Sequence, residues 1–315
     1  MNILFFGTSK FAVPALEALT AAGSPPAAVI TLPDRPHGRG LHNAPSPVAL
    51  CAKKLELPLF QPEKLSHEES IKKLQSFHAD IGIVVAYGKL IPENIIQLFP
   101  KGILNIHPSL LPEFRGPSPI HYVILEGKEK TGVTIMLVDK ELDHGPVIAQ
   151  EEESVFPNDT TETLSARLAD HGAKLLVKTI PQLLSGSSDS VAPREQNHSV
   201  ATFTKLILKE DGHIQWNEST EIIERKIRAY VPWPEAFGFV NIGGKTLRIK
   251  IIRGTISTQQ SREEPGKIIE QNGLPLVATA NGGIFLHKLQ VEGKKPISGQ
   301  DLINGYPMIL GAKFE

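Results

Sequence analysis

The stretch Gly102-Ile-Leu-Asn105-Ile-His107-Pro-Ser109-Leu-Leu-Pro-Glu-Phe-Arg115-Gly116 sets polar residues at alternate positions of an apolar run, then breaks into a Pro/Gly loop. Strand side chains reverse face at each residue. Asn105 and His107 therefore share one face, with Cα atoms roughly 6.5 Å apart, while Leu104 and Ile106 take the other. An amide and an imidazole on a rigid element beside a loop are what polarising a carbonyl and moving a proton require. Each residue alone also has a structural explanation, Asn105 as a turn cap and His107 as the partner of a backbone carbonyl.

Working outward, Asn2–Phe6, Ala28–Leu32, Ile81–Ala86, Ile103–His107 and Val133–Val138 read as strands. Phe11–Ala22, Pro47–Leu57, Glu68–Phe77 and Thr161–Leu184 read as helices between or after them. Near-continuous apolar strands alternating with amphipathic helices predict an α/β fold, a Rossmann-like, mostly parallel sheet with helices on both faces. Ligands of such sheets sit at the carboxyl ends of strands, where Asn105 and His107 fall. Asp143 follows the next good strand. In a parallel neighbour its loop would lie beside His107, where a carboxylate could orient the imidazole and favour its protonated form. Asp143 as a simple turn residue before Gly145-Pro146 is the alternative.

The run from Ser185 to Ser199 is polar and reads as a linker. Beyond it the pattern changes to short strands, Ala236–Ile242, Lys245–Ile252, Lys267–Glu270, Leu274–Ala280 and Ile284–Val291. They are split by Gly243-Gly244, Asn272-Gly273 and Asn281-Gly282-Gly283, and a small β-barrel is expected. The expected boundaries are 1–186, a linker at 187–204, and 205–315.

Composition excludes several classes. With 41% apolar and 21% charged residues in 315, the chain is an ordinary globular protein long enough for two domains. Its one cysteine, Cys51, forms no internal disulfide framework or multi-cysteine zinc site, and no apolar window approaches the roughly 18 residues of a membrane span. The N-terminus carries no signal-peptide pattern, so a cytoplasmic setting is expected. Ser9 and Ala12 stand where a dinucleotide loop after Gly7 would need glycines, and no phosphate-binding G-x-x-x-x-G-K motif occurs. His121 and His144 lack metal-ligand spacing, so no metal is expected. Residues 190–315 hold 16 Lys and Arg against 13 Asp and Glu, a difference of +3, and residues 1–189 hold 17 against 21, a difference of −4. That basic excess suits a polyanionic partner or an ordinary solvated surface. The two arginines of Pro33-Asp34-Arg35-Pro36-His37-Gly38-Arg39-Gly40 allow the same two readings. Trp216, Tyr230 and Trp233 could stack on bases or fill a core.

The pattern Asn105-x-His107-x-Ser109-Leu-Leu-Pro-x-x-Arg115-Gly116, followed by Asp143, resembles the 10-formyltetrahydrofolate-dependent formyltransferases. Phe6-Gly7-Thr8, Val85-Ala86-Tyr87-Gly88, Thr131-Gly132-Val133-Thr134 and Ile227-Arg228-Ala229-Tyr230-x-Pro232-Trp233-Pro234 resemble the branch that acts on methionyl-tRNA. The resemblance covers essentially the whole chain. It implies a C-terminal barrel like an oligonucleotide-binding (OB-like) fold that binds tRNA. The implied reaction carries a formyl group from the co-substrate 10-formyltetrahydrofolate to the α-amine of initiator methionyl-tRNA, for translation initiation. Asn105, His107 and Asp143 are its implied catalytic residues. Ser109, Leu110, Leu111, Pro112, Val85, Ala86 and Tyr87 are its implied folate contacts, and Arg39 and Arg35 its tRNA contacts. Many members place lysines after Gly-Arg-Gly, whereas Leu41-His42-Asn43-Ala44 follow Gly40 here. A monomer is expected. Formylation of an amino sugar nucleotide or other small amine, and noncatalytic RNA binding, are the two other readings.

Overall fold

The computed structural model describes residues 1–37, 42–184, 192–258 and 262–315. The chain divides into two compact units. One comprises Met1–Pro119, Lys130–Ser154 and Ser165–Thr204, the other Ile120–Glu129, Val155–Leu164 and Lys205–Glu315.

In the first unit, β1 (Ile3–Gly7), β2 (Ala28–Ile30), a small hairpin of β3 (Arg35–His37) and β4 (His42–Ala44), and β5 (Leu59–Phe60) come first. They are followed by β6 (Ile81–Val85), β7 (Ile103–His107), β8 (Lys130–Leu137) and β9 (Val147–Ser154). The unit's helices in chain order are α1 (Val13–Ala21), α2 (Pro47–Lys54), α3 (Glu68–Gln75), α4 (Glu93–Ile96) and α6 (Thr161–Leu184) from Ser165 onward, whereas α5 (Pro119–Leu125) from Ile120 and the start of α6 are counted with the second unit. Seven strands form one sheet in the order β5-β2-β1-β6-β7-β8-β9. The pairs from β5 through β7 are parallel, and β8 and β9 are antiparallel additions. Strand alternation sends Leu4, Phe6, Ile30 and Ile103 into a cluster with Leu74 of α3 and Ile95 of α4. Ile106, on the opposite face of β7, meets α6 at Gly172. Local chemistry sets the helix starts. At α2, Ser46 accepts a hydrogen bond from Ala49 N at 3.0 Å while Pro47 opens the first turn.

One expectation needs correction. The strand carrying Val133–Val138 is not parallel to β7, because Leu104 faces Leu137 and His107 faces Thr134 in an antiparallel ladder. A strand buried on both faces has the same apolar pattern in either direction, so its residues did not reveal its sense. The loop after β8 nevertheless doubles back over the face of β7 that bears Asn105 and His107. Leu137 N donates to Pro146 O at 2.9 Å to close it. Residues 192–204, inside the expected linker at 187–204, are grouped with the first unit, where Arg194 and Val147 exchange two backbone hydrogen bonds of 2.8 Å.

The second unit holds α7 (Thr220–Ala229), β10 (Ala236–Ile242), β11 (Lys245–Ile256), β12 (Ile268–Gln271), β13 (Leu274–Ala278), β14 (Gly283–Val291), β15 (Ile297–Ser298) and α8 (Gly299–Gly305). The sheet runs β10-β11-β14-β13-β12, with β15 on β14. The chain's end closes it. Phe314 N donates to Gly266 O at 2.9 Å and Glu315 N to Phe239 O at 2.8 Å, joining both edges into a small barrel. Trp216 is core, stacked on Phe314 at 5.2 Å, and Tyr230 is buried, whereas Trp233 is exposed. Among the described residues, no helix is long and apolar enough to cross a membrane.

Candidate active site

Asn105 and His107 end β7 on one face, the first half-buried and the second buried. His107 Nε2 lies 2.9 Å from the carbonyl of Phe114. A carbonyl only accepts, so Nε2 carries a proton and Nδ1 is the nitrogen turned toward Asp143. Asp143 Oδ1 lies 3.5 Å from His107 Nδ1 and 3.5 Å from Asn105 Nδ2. Its other oxygen, Oδ2, accepts a 2.8 Å hydrogen bond from Gly116 N. The carboxylate is thus held firmly by one oxygen, and two side-chain nitrogens converge loosely on the other. Separations of 3.5 Å are at the edge of hydrogen bonding. Asp143 holds a left-handed φ of 51°, which aspartate tolerates better than most residues.

Gly116 explains why a glycine stands in this motif. Its φ is +107°, and a Cβ there would lie 2.8 Å from Thr204 O and 2.9 Å from Thr204 Oγ1. Residues 114–116 therefore touch both ionisable groups, Phe114 through its carbonyl and Gly116 through its N–H. Between them the buried Arg115 donates from Nε and Nη2 to Gln196 Oε1 at 3.1 and 2.6 Å. Gln196 Nε2 donates in turn to Asp143 O at 3.0 Å and Gly145 O at 2.8 Å. Arg115 Nη2 also meets His198 Nδ1 at 2.8 Å, and the His198 ring stacks on His144. Gln196, His198, Thr202 and Thr204 had no signal in the sequence beyond membership of a polar run.

Ser109 is fully buried. Its hydroxyl donates to Glu113 O at 2.5 Å and its carbonyl accepts from Thr134 Oγ1 at 2.6 Å, so it braces its own loop. Leu111 packs with Met136 and Val147, and Leu111 N and O are bonded to Thr134 Oγ1 and Gln150 Nε2. Pro112 O accepts from Thr202 N, and Leu110 lies against Gly132. Val85 and Tyr87 are core residues, while Ala86 between them is exposed with a φ of 43°. Burial pushes the Tyr87 phenol up to about 12, so it moves no protons near neutrality. Arg39 lies outside the described residues, and Arg35 is described only as part of β3. Among the described residues, no group of three or more His, Cys, Asp or Glu could hold a metal ion.

A mostly parallel sheet gathers an amide, an imidazole and a carboxylate at one strand end, groups suited to holding charge on a carbonyl oxygen and moving a proton. Residues 1–180 match the family described as formyl transferase and residues 206–307 the formyl transferase C-terminal domain, and the chain belongs to that family. It is 41% identical over 307 residues to a methionyl-tRNA formyltransferase of Chloroflexus aurantiacus, covering 97% of each chain. It is 42% identical over 308 residues to one from Koribacter versatilis, covering 97% of this chain and 96% of the other. The fold is also that of an N-formyltransferase from Helicobacter canadensis solved with folinic acid and dTDP-3-aminofucose. That chain has a TM-score of 0.64 at 18% identity, with 91% of this chain and 98% of that one covered.

Proposed function

We propose that this protein transfers a formyl group from 10-formyltetrahydrofolate to the α-amine of methionine on initiator tRNA, as a methionyl-tRNA formyltransferase. One observation carries the substrate: identity of about 40% to proteins of that name runs through both domains and nearly the full length of each chain. Residues 205–315, with their basic excess, hold the tRNA, and Arg35 and Arg39 meet its acceptor end. The segments Ser109–Pro112 and Val85–Tyr87 take the folate. The work is done in the cytoplasm.

The proposed chemistry is direct transfer. As the amine bonds to the formyl carbon, negative charge grows on the formyl oxygen. Asn105 Nδ2 and His107 Nδ1, the two donors that converge on Asp143 Oδ1, hydrogen-bond that oxygen. The ring acts as an imidazolium, the form that serves Phe114 O and the formyl oxygen together. Asp143 orients it and takes the amine's proton through Oδ1, directly or by a held water, and that proton passes to the folate nitrogen as its bond to the formyl carbon breaks. The family's chemistry is thereby assigned to groups already converging within 3.5 Å. Incubating the protein with 10-formyltetrahydrofolate and charged initiator tRNA should yield formylmethionyl-tRNA. Turnover of an amino sugar nucleotide instead, or tRNA binding without turnover, would overturn this function.

A further inference from the structure

We propose that Gln196 and Arg115 are positioning residues, which set where the Asp143 carboxylate stands. The assignment rests on the catalytic role given above to Asp143. Both side chains are buried, Arg115 being 3% and Gln196 6% exposed. Gln196 commits all its bonding capacity to holding this loop. Its two N–H donors hold the carbonyls of Asp143 and Gly145, and its oxygen takes two N–H groups from Arg115. A side-chain amide has only two such donors, so none is left for another role. The 143–144 and 145–146 peptides are thus both clamped by their carbonyls, which holds the loop in which Asp143 keeps its left-handed φ.

Arg115 is anchored from the other side. Its N–H donates to Thr202 O at 2.9 Å, and its carbonyl accepts from Thr204 N at 2.7 Å and Thr204 Oγ1 at 3.1 Å. Its neighbour Gly116 grips Asp143 Oδ2, and its other neighbour, Phe114, accepts from His107. The fork of Arg115 with Gln196 thus ties the backbone beneath His107 to the backbone bearing Asp143, and fixes the spacing of the two ionisable groups. His198 accepts the remaining reach of the guanidinium, since arginine only donates, and its ring bears its proton on Nε2. Neither Arg115 nor Gln196 touches the Asp143 carboxylate. Their effect is on geometry, and misplacing a reacting group by about 1 Å costs on the order of 100-fold in rate.

The decisive variant is Gln196→Glu, which keeps an acceptor for buried Arg115 but removes both donors to the 143–145 loop. Removing Arg115 itself would leave that network without its cation and endanger folding, so the glutamate variant carries the test. With the full-length enzyme, kcat should fall roughly 10- to 100-fold while folate KM stays near native, and a lowered but cooperative thermal transition shows that the variant is folded. The same substitution in an Asp143→Asn background should cost no more than about twofold further, because a residue acting only through that carboxylate has nothing left to position. A native kcat in the single variant, or an equal loss in both backgrounds, would overturn the positioning role while leaving the function standing. A native kcat in Asp143→Asn alone would sink the role of Asp143 and this inference with it.

Discussion

Asn105 and His107 meet the same carboxylate oxygen, yet they are held differently. His107 is fixed by a 2.9 Å bond at Nε2, whereas the Asn105 side chain, among the described residues, has its 3.5 Å approach to Asp143. Replacing either by alanine removes a donor to the charge growing in the transition state. Each variant should lose roughly 10²–10³ in kcat with folate KM little changed, as steady-state kinetics will show. A raised KM at native kcat would make the residue a binding group only. Gly116→Ala tests the backbone beneath them. At φ +107° its new methyl meets Thr204, and the variant should lose about 1–3 kcal/mol in chemical denaturation together with activity, since Gly116 N steadies Asp143. The pairing of Asn105 with His107 was legible because strand alternation is local. That Asp143 joins them was also anticipated, but from a parallel strand that is antiparallel. Gln196 was illegible: its partners lie more than 50 residues away, and nothing in a polar run distinguishes an amide that clamps a loop from one facing water.

Among elements, those whose signal is set by backbone chemistry were readable. Gly243-Gly244 and Asn272-Gly273 both take positive φ at both positions, as the tightest hairpin turns demand, and each joins the strands expected of it. Strand β9 was missed because Glu151, Glu152 and Glu153 mask its alternation. Two of these face His171 of α6, with Glu151 at 2.7 Å and Glu153 at 3.2 Å, as an edge strand with one wet face permits. The closure of the barrel by Lys313, Phe314 and Glu315 was equally hidden, since so short a tail carries no periodicity. Phe314 is 2% exposed, sits in the core and stacks on Trp216. Phe314→Ala should therefore destabilise the second unit by about 3–5 kcal/mol, followed through Trp216 fluorescence in denaturant. A loss below ~1 kcal/mol would mean that the tail does not close the barrel in solution.

Over the whole molecule, charge and burial act differently. The basic excess of residues 190–315 is small, so tRNA affinity should rest on phosphate contacts that salt weakens. The KM for methionyl-tRNA should climb steeply between low and moderate salt while that for folate hardly moves, and parallel responses would remove the electrostatic account. Buried tyrosines give a second test, with one phenol in each unit. Tyr87 is raised to about 12 by burial, and Tyr230 to about 12 by burial first and then by the charges of Asp211 and Glu218. An unfolded phenol ionises at about pH 10. Between these values the unfolded chain has released protons that the folded chain retains, so rising pH favours unfolding. This contribution is fully present below about pH 10 and is lost as pH climbs toward about 12. Tyr87→Phe and Tyr230→Phe remove the titrating group with the ring retained, so each should flatten the alkaline fall in thermal midpoint. Comparison with the unaltered protein over that range cancels the lysines, which titrate alike in all three. Parallel midpoint curves would show that the two phenols ionise without unfolding either unit.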